Sequence, residues 1–219
     1  MKKTGILSDT HGLLRPEVLR ELQGCDAILH GGDINRQEII DQLEQIAPLY
    51  VVRGNNDKEW AEHLPAFLDF ELFGLRVYMT HKKKDLPKDL SAYDLVIYGH
   101  SHRFEQKTEG RTHLINPGSC GPRRFNQDIT MAVLELSEHD REMMIRRIDI
   151  PHSILPALNK DRIQKPDVEK VIRDVRKGRS VTEISSKLGM DPELTEQICR
   201  LYLTHPGVDA DGIMTKMRL

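Results

Sequence analysis

The stretch LVIYGHSH, residues 95–102, decides how this chain is read. Leu95 to Tyr98 form a short apolar run of the kind that makes a buried strand. A glycine and two histidines, His100 and His102, follow it without a break. In extended backbone, residues two apart point to the same side, so both imidazoles face one space. The same arrangement recurs in ILSDTH (6–11), AILHGGD (27–33), YVVRGNND (50–57) and VYMTH (77–81). Each apolar run hands over to polar residues: Asp9 and His11, Asp33, Asn55, and His81. Side chains at the carboxyl ends of successive strands converge on one rim of a sheet, which is where open α/β sheets bind ligands.

Oxygen donors from Asp9, Asp33 and Asn55, with the imidazoles of His11, His81, His100 and His102, suit two divalent transition metals. Calcium asks for an all-oxygen shell, and a zinc finger for cysteines. Two such ions, about 3.5–4 Å apart, clamp an in-line displacement at phosphorus and lower the pKa of a bound water. The centre needs one carboxylate that reaches both ions. Asp33 is the candidate, because Gly31 and Gly32 let the backbone turn sharply before it. Asp9 and His11 form a second period-two pair, Asn55 supplies a neutral oxygen, and His81 ends its strand. Taken singly, each element has a plainer reading as a cap, a turn or a hydrogen-bonded structural histidine. Their occurrence together, in order and each after a strand, carries the metal-site reading.

The composition sets few limits. The 219 residues are 38% hydrophobic and 30% charged, ordinary for a globular protein, and ten are histidine. A net charge of −2 gives no global attraction to nucleic acid or acidic membranes. Cys25, Cys120 and Cys199 are odd in number and widely spaced, so neither a disulfide framework nor a zinc knuckle is implied. Near the N-terminus the apolar run is far shorter than the roughly 7–15 residues of a signal peptide or the roughly 20 of a membrane span. A cytoplasmic protein with no membrane association is expected.

Early segments alternate strand and helix: Ile6–Leu7, a helix over Arg15–Leu22, Ala27–Leu29, a helix over Gln37–Gln45, and Leu49–Val52. That pattern predicts a parallel sheet with helices on its faces. Phe67–Phe73 and Leu75–Thr80 flank Gly74 as a hairpin, Asp94–Tyr98 and His113–Asn116 are short strands, and Thr130–Leu136 with Met143–Ile150 form another hairpin. Late hairpins after early βαβ units predict a second sheet packed on the first, an α/β fold with αββα layering. Residues 1–152 make this domain, 153–166 a linker, and 167–219 a small all-α appendage. In the appendage, Asp167–Lys177 ends at Gly178, Ser180 or Thr182 caps a helix running to Leu188, and Asp191 caps a third reaching Leu203.

The motifs DTH (9–11), GGD (31–33), GNND (54–57), TH (80–81), GHSH (99–102) and NPGS (116–119) resemble those of the calcineurin-like metallophosphoesterase superfamily, nearest its small YfcE-type phosphodiesterases. The resemblance covers about the first 150 residues. It implies a four-layer αββα sandwich with a dinuclear centre, most often of manganese, with nickel, iron or zinc in some relatives. The first metal would fall to Asp9, His11 and His102, and the second to Asn55, His81 and His100, with Asp33 bridging. A metal-bridging hydroxide would hydrolyse a small phosphodiester. Asn55, Asp57 and His100 are then the catalytic candidates, with Asp57 orienting a ligand or the fold, and Asn55, Asn56 and Arg123 the substrate contacts.

Three features depart from the family pattern. Many members carry histidine where Asn56 stands, so the general acid is open. Lys82, Lys83 and Lys84 follow His81, where relatives commonly have glycine, and read as a solvated loop. The helical appendage extends past the family's minimal domain. Val181–Leu201 fits a helix-turn-helix template with Gly189 at the turn, yet its second helix opens with Glu193 and Glu196. From Pro151 onward there are twelve Lys and Arg against ten Asp and Glu, too little positive charge for DNA. A homo-oligomer or a protein partner through residues 167–219 is expected instead. The competing function is a non-catalytic scaffold, for which the superfamily has precedent in a retromer subunit, or a metal- or nucleotide-sensing regulator. A scaffold is expected to lose ligands, and this chain has kept all seven.

Overall fold

Three short apolar runs near the start of the chain become parallel strands. In the computed structural model, which describes residues 1–122, 127–137, 139–151, 163–205 and 207–217, β1 (Lys2–Leu7), β2 (Ala27–His30) and β3 (Leu49–Val51) lie side by side. They are joined by α1 (Pro16–Leu22) and α2 (Gln37–Glu44). Pro16 opens α1, where a missing N–H costs nothing. Val18 and Leu22 from α1, and Ile39, Ile40 and Leu43 from α2, pack against Leu7, Ile28, Met131 and Val133. Each such side chain contributes roughly 1.5–3 kcal/mol through burial.

The second sheet opens with the hairpin β4 (Phe67–Leu72) and β5 (Leu75–Thr80), then adds β6 (Leu95–Ile97), β7 (Phe104–Glu109) and β8 (Thr112–Pro117). Its order is β4-β5-β6-β8-β7, with β5, β6 and β8 parallel. For the sheets, the sequence reading differs from the structure in two places. Strand β7 was not foreseen, because FEQKTE is an edge strand with most of its side chains in solvent. The hairpin of β9 (Thr130–Leu136) and β10 (Met143–Asp149) does not extend the second sheet. It returns to the first, in the order β10-β9-β1-β2-β3. Met131 and Val133 face the helices while Ala132, Leu134 and Leu136 face the other sheet, so β9 is apolar on both sides, as a central strand must be.

Between the sheets, Ile6, Leu29, Ala132 and Leu134 meet Val77, Met79, Leu95 and Ile115. On the outer face of the second sheet, Tyr78, Val96, Tyr98 and Leu114 are covered by Leu86, Leu90 and Tyr93, from a segment that contains one 3₁₀ turn at Lys83–Asp85. The layers are thus helix, sheet, sheet and a thin outer cover.

The chain divides into two units, Met1–His152 and Ser153–Leu219. The second holds α3 (Lys165–Arg176), α4 (Val181–Leu188), α5 (Pro192–Thr204) and α6 (Ala210–Met217) around Val168, Val171, Ile184, Ile198 and Ile213. Helix α3 begins two residues inside the stretch read as linker, and residues 153–162 of that stretch lie outside the described residues. Ser180 and Glu183 cap α4 reciprocally, Gly189 ends it at φ 60°, and Asp191 caps α5. Among the described residues no helix is long and apolar enough to cross a membrane. All three cysteines are buried and free.

Candidate metal centre

The carboxyl ends of β1, β2 and β3 in one sheet, and of β5 and β6 in the other, meet at one edge of the sandwich. Backbone bonds stitch the loops together: Asp9 N–H donates to Gly32 O (2.9 Å), His11 N–H to Asp33 O (2.9 Å) and Gly99 N–H to His81 O (2.9 Å). The His100 N–H crosses between the sheets to Asp9 Oδ2 at 3.0 Å. The period-two pairs do not converge through extended backbone. Asp9 (φ 55°), His11 (44°), Asp33 (57°), His100 (70°) and His102 (57°) are all left-handed. Each such non-glycine residue costs about 1–3 kcal/mol, and such strain collects at functional sites. Neither Gly54 nor Gly99 leaves room for a Cβ: it would collide with the backbone of Asp33 in one case and with Ser8 Oγ and Asp9 Oδ2 in the other.

Donor atoms crowd the space between these loops. Asp9 Oδ1 stands 3.0 Å from His102 Nε2 and 3.6 Å from His11 Nε2, and the two Nε2 atoms are 3.1 Å apart. Asp33 Oδ2 stands 3.5 Å from His81 Nε2 and 3.7 Å from His11 Nε2, between the two clusters. Two overlapping sets, Asp9–His11–His102 and Asp9–Asp33–His81, each gather their ligand atoms within 4.8 Å. Asp9 belongs to both, so it joins Asp33 as a carboxylate placed for sharing. His100 is exposed, with its ring centroid 5.2 Å from that of His81, and Asn55 is exposed on the loop after β3.

The donors fit divalent cations on the structure's own terms. His81 Nδ1 lies 2.7 Å from Gly31 O, a pure acceptor, so Nδ1 carries a proton and Nε2 is the nitrogen the neutral ring offers to a cation. Among the described residues, His81 Nε2 and Asp9 Oδ1 are buried with no hydrogen-bond partner, a cost of about 1–3 kcal/mol each that ligation would remove. Burial opposes the charge of Asp9, but His102 and His11 outweigh it and hold the carboxyl far below the usual range. Asp33 is likewise opposed by burial, and His81 with the Asn56 N–H brings it down to about 2. Both carboxyls are anionic at neutral pH.

Residues around the donors hold them in place. Asp57, 3% exposed, accepts from four backbone N–H groups: Asp33 (2.9 Å), Ile34 (2.8 Å), Asn35 (2.7 Å) and Gly54 (2.8 Å). These bonds make it a tie between the loops after β2 and β3. Asn56, expected to touch substrate, gives its backbone N–H to Asp33 Oδ1 (2.7 Å) and its amide to Asp33 Oδ2 (2.6 Å). Its side chain is committed to orienting Asp33. Asn116 donates to Gly99 O (2.8 Å), and Ser119 to Asp9 O (2.9 Å). Of the three lysines, Lys83 turns to Glu105 at 2.8 Å and lies over the ring of Tyr98. Arg123 lies outside the described residues.

Two contributors were not foreseen. Ser8 donates to Asp9 Oδ2 at 2.6 Å. His30, fully buried, accepts from Gly32 N–H at Nδ1 (3.1 Å), so its Nε2–H faces Thr10 Oγ1 at 3.0 Å. The signal for both was their position inside the quoted motifs, immediately before the ligands or the glycines.

Residues 2–139 match the calcineurin-like phosphoesterase superfamily domain, and the chain belongs to that family. A phosphodiesterase of Methanocaldococcus jannaschii is 29% identical over 140 residues, 54% of this chain and 84% of that protein. Among solved structures, YfcE, a phosphoesterase from E. coli, covers 68% of this chain and all of its own at TM-score 0.51 and 22% identity. Vps29 of Chaetomium thermophilum covers 69% of this chain and all of its own at TM-score 0.55 and 17% identity, a likeness of fold alone.

Proposed function

We propose that this protein is a metal-dependent phosphodiesterase working at a dinuclear centre. The observation that carries the reading is the buried convergence of Asp9, His11, Asp33, His81 and His102, with Asp9 Oδ1 and His81 Nε2 left for a cation. The similarity to a phosphodiesterase of M. jannaschii supports it. Asp9, His11 and His102 would hold one ion and His81, His100 and Asn55 the other, with Asp33 reaching both and manganese the leading candidate. When bound, two such ions supply Lewis-acid charge to a phosphoryl oxygen and make water a better nucleophile. The chain's own part is positioning: Asp57 and Asn56 fix Asp33, and Gly31 O fixes the tautomer of His81. Exposed Asn55 and His100 face incoming substrate, Asn55 through an amide that suits a non-bridging phosphoryl oxygen. His100, held below its ordinary pKa by partial burial and by His81 and Lys82, stays neutral and available as a ligand or proton carrier. Asn56 has no titratable proton, so the reaction favours diesters with good leaving groups. The helical unit is read as a partner-docking module, and the protein as cytoplasmic.

Hydrolysis of bis(p-nitrophenyl) phosphate beside the monoester, in protein stripped and refilled with manganese, nickel or zinc, tests the activity. Metal-dependent diester cleavage, lost in Asp33→Ala together with metal, is expected. Full activity in Asp33→Ala, or cleavage of the monoester only, overturns the assignment.

A further inference from the structure

The strand registers bring further segments to the rim that carries the candidate ligands. Ile6 stands opposite Ala132 and Thr130 opposite Asp149, so β9 starts and β10 ends where β1 hands over to Asp9. In the second sheet Phe104 opens β7 opposite Pro117, at the end of β8. At this rim lies a cavity of about 220 Å³ whose walls include His102, Arg103, Phe104, Gln127, Asp128 and Arg147. His102 is also a donor of the candidate metal centre, so the two adjoin. Sites that hold a whole drug-sized molecule run to roughly 300–1,000 Å³, so this one suits a single ring system. Arg147 lies over the Phe104 ring, 5.5 Å from its centre, fixed by Asp128 at 2.6 Å and by Asp149, which accepts from Nε at 2.9 Å. Its charge is thereby answered. Arg103 forms no ion pair among the described residues, and the half-buried Gln127 makes no side-chain hydrogen bond among them.

We infer that this cavity is a nucleoside subsite, receiving the base of a nucleotide diester whose phosphate lies at the adjoining metal centre. The argument is the mixture of groups on its walls. Gln127 offers a donor and an acceptor in one plane, Asp128 an acceptor and Arg103 donors, set against an aromatic ring and a guanidinium. A nucleobase uses all of these, its edge through hydrogen bonds and its face through stacking on aromatic or guanidinium planes. A second phosphate fits poorly, because Asp128 stands in the wall and Arg147 is already paired. A purely apolar group would leave the Gln127 amide without a partner. A sugar would satisfy the polar groups but gain little from the flat ones. The inference rests on the phosphodiesterase reading and adds the substrate class to it.

The test is calorimetric titration of the full, manganese-loaded chain with AMP, GMP, CMP and UMP beside ribose 5-phosphate, which lacks only the base. At least one nucleotide is expected to bind about tenfold or more tightly than ribose 5-phosphate. Gln127→Ala should cut that preference by about threefold to tenfold while ribose 5-phosphate binds as before, with circular dichroism unchanged. Equal affinity for all five ligands overturns the inference. So does a preference that survives both Gln127→Ala and Arg103→Ala, or a Gln127→Ala loss that is the same for ribose 5-phosphate. Hydrolysis of bis(p-nitrophenyl) phosphate by the same preparation separates the two readings. Cleavage with no preference for a base removes the subsite alone, and neither cleavage nor nucleotide binding removes both.

Discussion

The imidazole of His30 spans two loops that carry different candidate ligands. Thr10, between Asp9 and His11, meets one ring nitrogen, and Gly32, immediately before Asp33, meets the other. Both contacts are fully buried, so His30→Leu strands a hydroxyl and an N–H at about 1–3 kcal/mol each. Metal affinity should fall about 10–100-fold, the range seen when supports behind metal ligands are removed. Calorimetric titration of the stripped protein with manganese measures this, and unchanged affinity in the variant would remove the positioning role. Burial also holds the His30 pKa down to about 4 from an ordinary 6.5. Because the unfolded chain binds this proton more readily, the metal-free protein is fully stabilised above pH 6.5 and loses stability as pH falls towards 4. The difference is roughly 3 kcal/mol. The urea midpoint of His30→Leu should therefore vary less over that window than the wild type's.

At the scale of elements, the ends of β1, β2, β3, β5 and β6 matter more than the strands themselves. Five donors sit in left-handed backbone, and the loops that hold them are tied by hydrogen bonds instead of packing. Asp57 is the central tie, with four backbone donors converging on one carboxylate. Asp57→Asn replaces one acceptor oxygen with a donor facing N–H groups. It should cost at least about 3 kcal/mol in urea unfolding and weaken metal binding together with it. A variant that lost activity at full stability would instead give Asp57 a chemical role. The motif GNND revealed that an acidic residue stands here, but not what it does, because three of its four partners lie in the loop after β2. Strand β7 and helix α6 escaped sequence reading for local reasons. The first is a solvated edge, and the second is a short helix with Gly212 inside it, opened by Asp209 accepting from the Gly212 N–H.

For the whole molecule, Val168, Ile184 and Ile198 pack within the helical unit's own cluster among the described residues. A chain ended after His152 should keep the wild-type metal stoichiometry by elemental analysis and its diester hydrolysis. Loss of metal with the sheets still folded by circular dichroism would mean that the helical unit helps to hold the site.

Apart from β7 and α6, the order of strands and helices, the end of each strand to within one residue and the seven candidate ligands were legible in the sequence, because hydrophobic periodicity and motif chemistry are local properties. The glycines before it single out Asp33 as a candidate bridging carboxylate. Three things needed the tertiary structure. The β9–β10 hairpin joins β1 because β9 buries both faces, and a period-two pattern cannot say against which sheet. Asn56 reaches Asp33 because the loops after β2 and β3 are brought side by side. The paired donors converge through left-handed backbone, a strained geometry that only the surrounding hydrogen bonds stabilise and that no local propensity would choose.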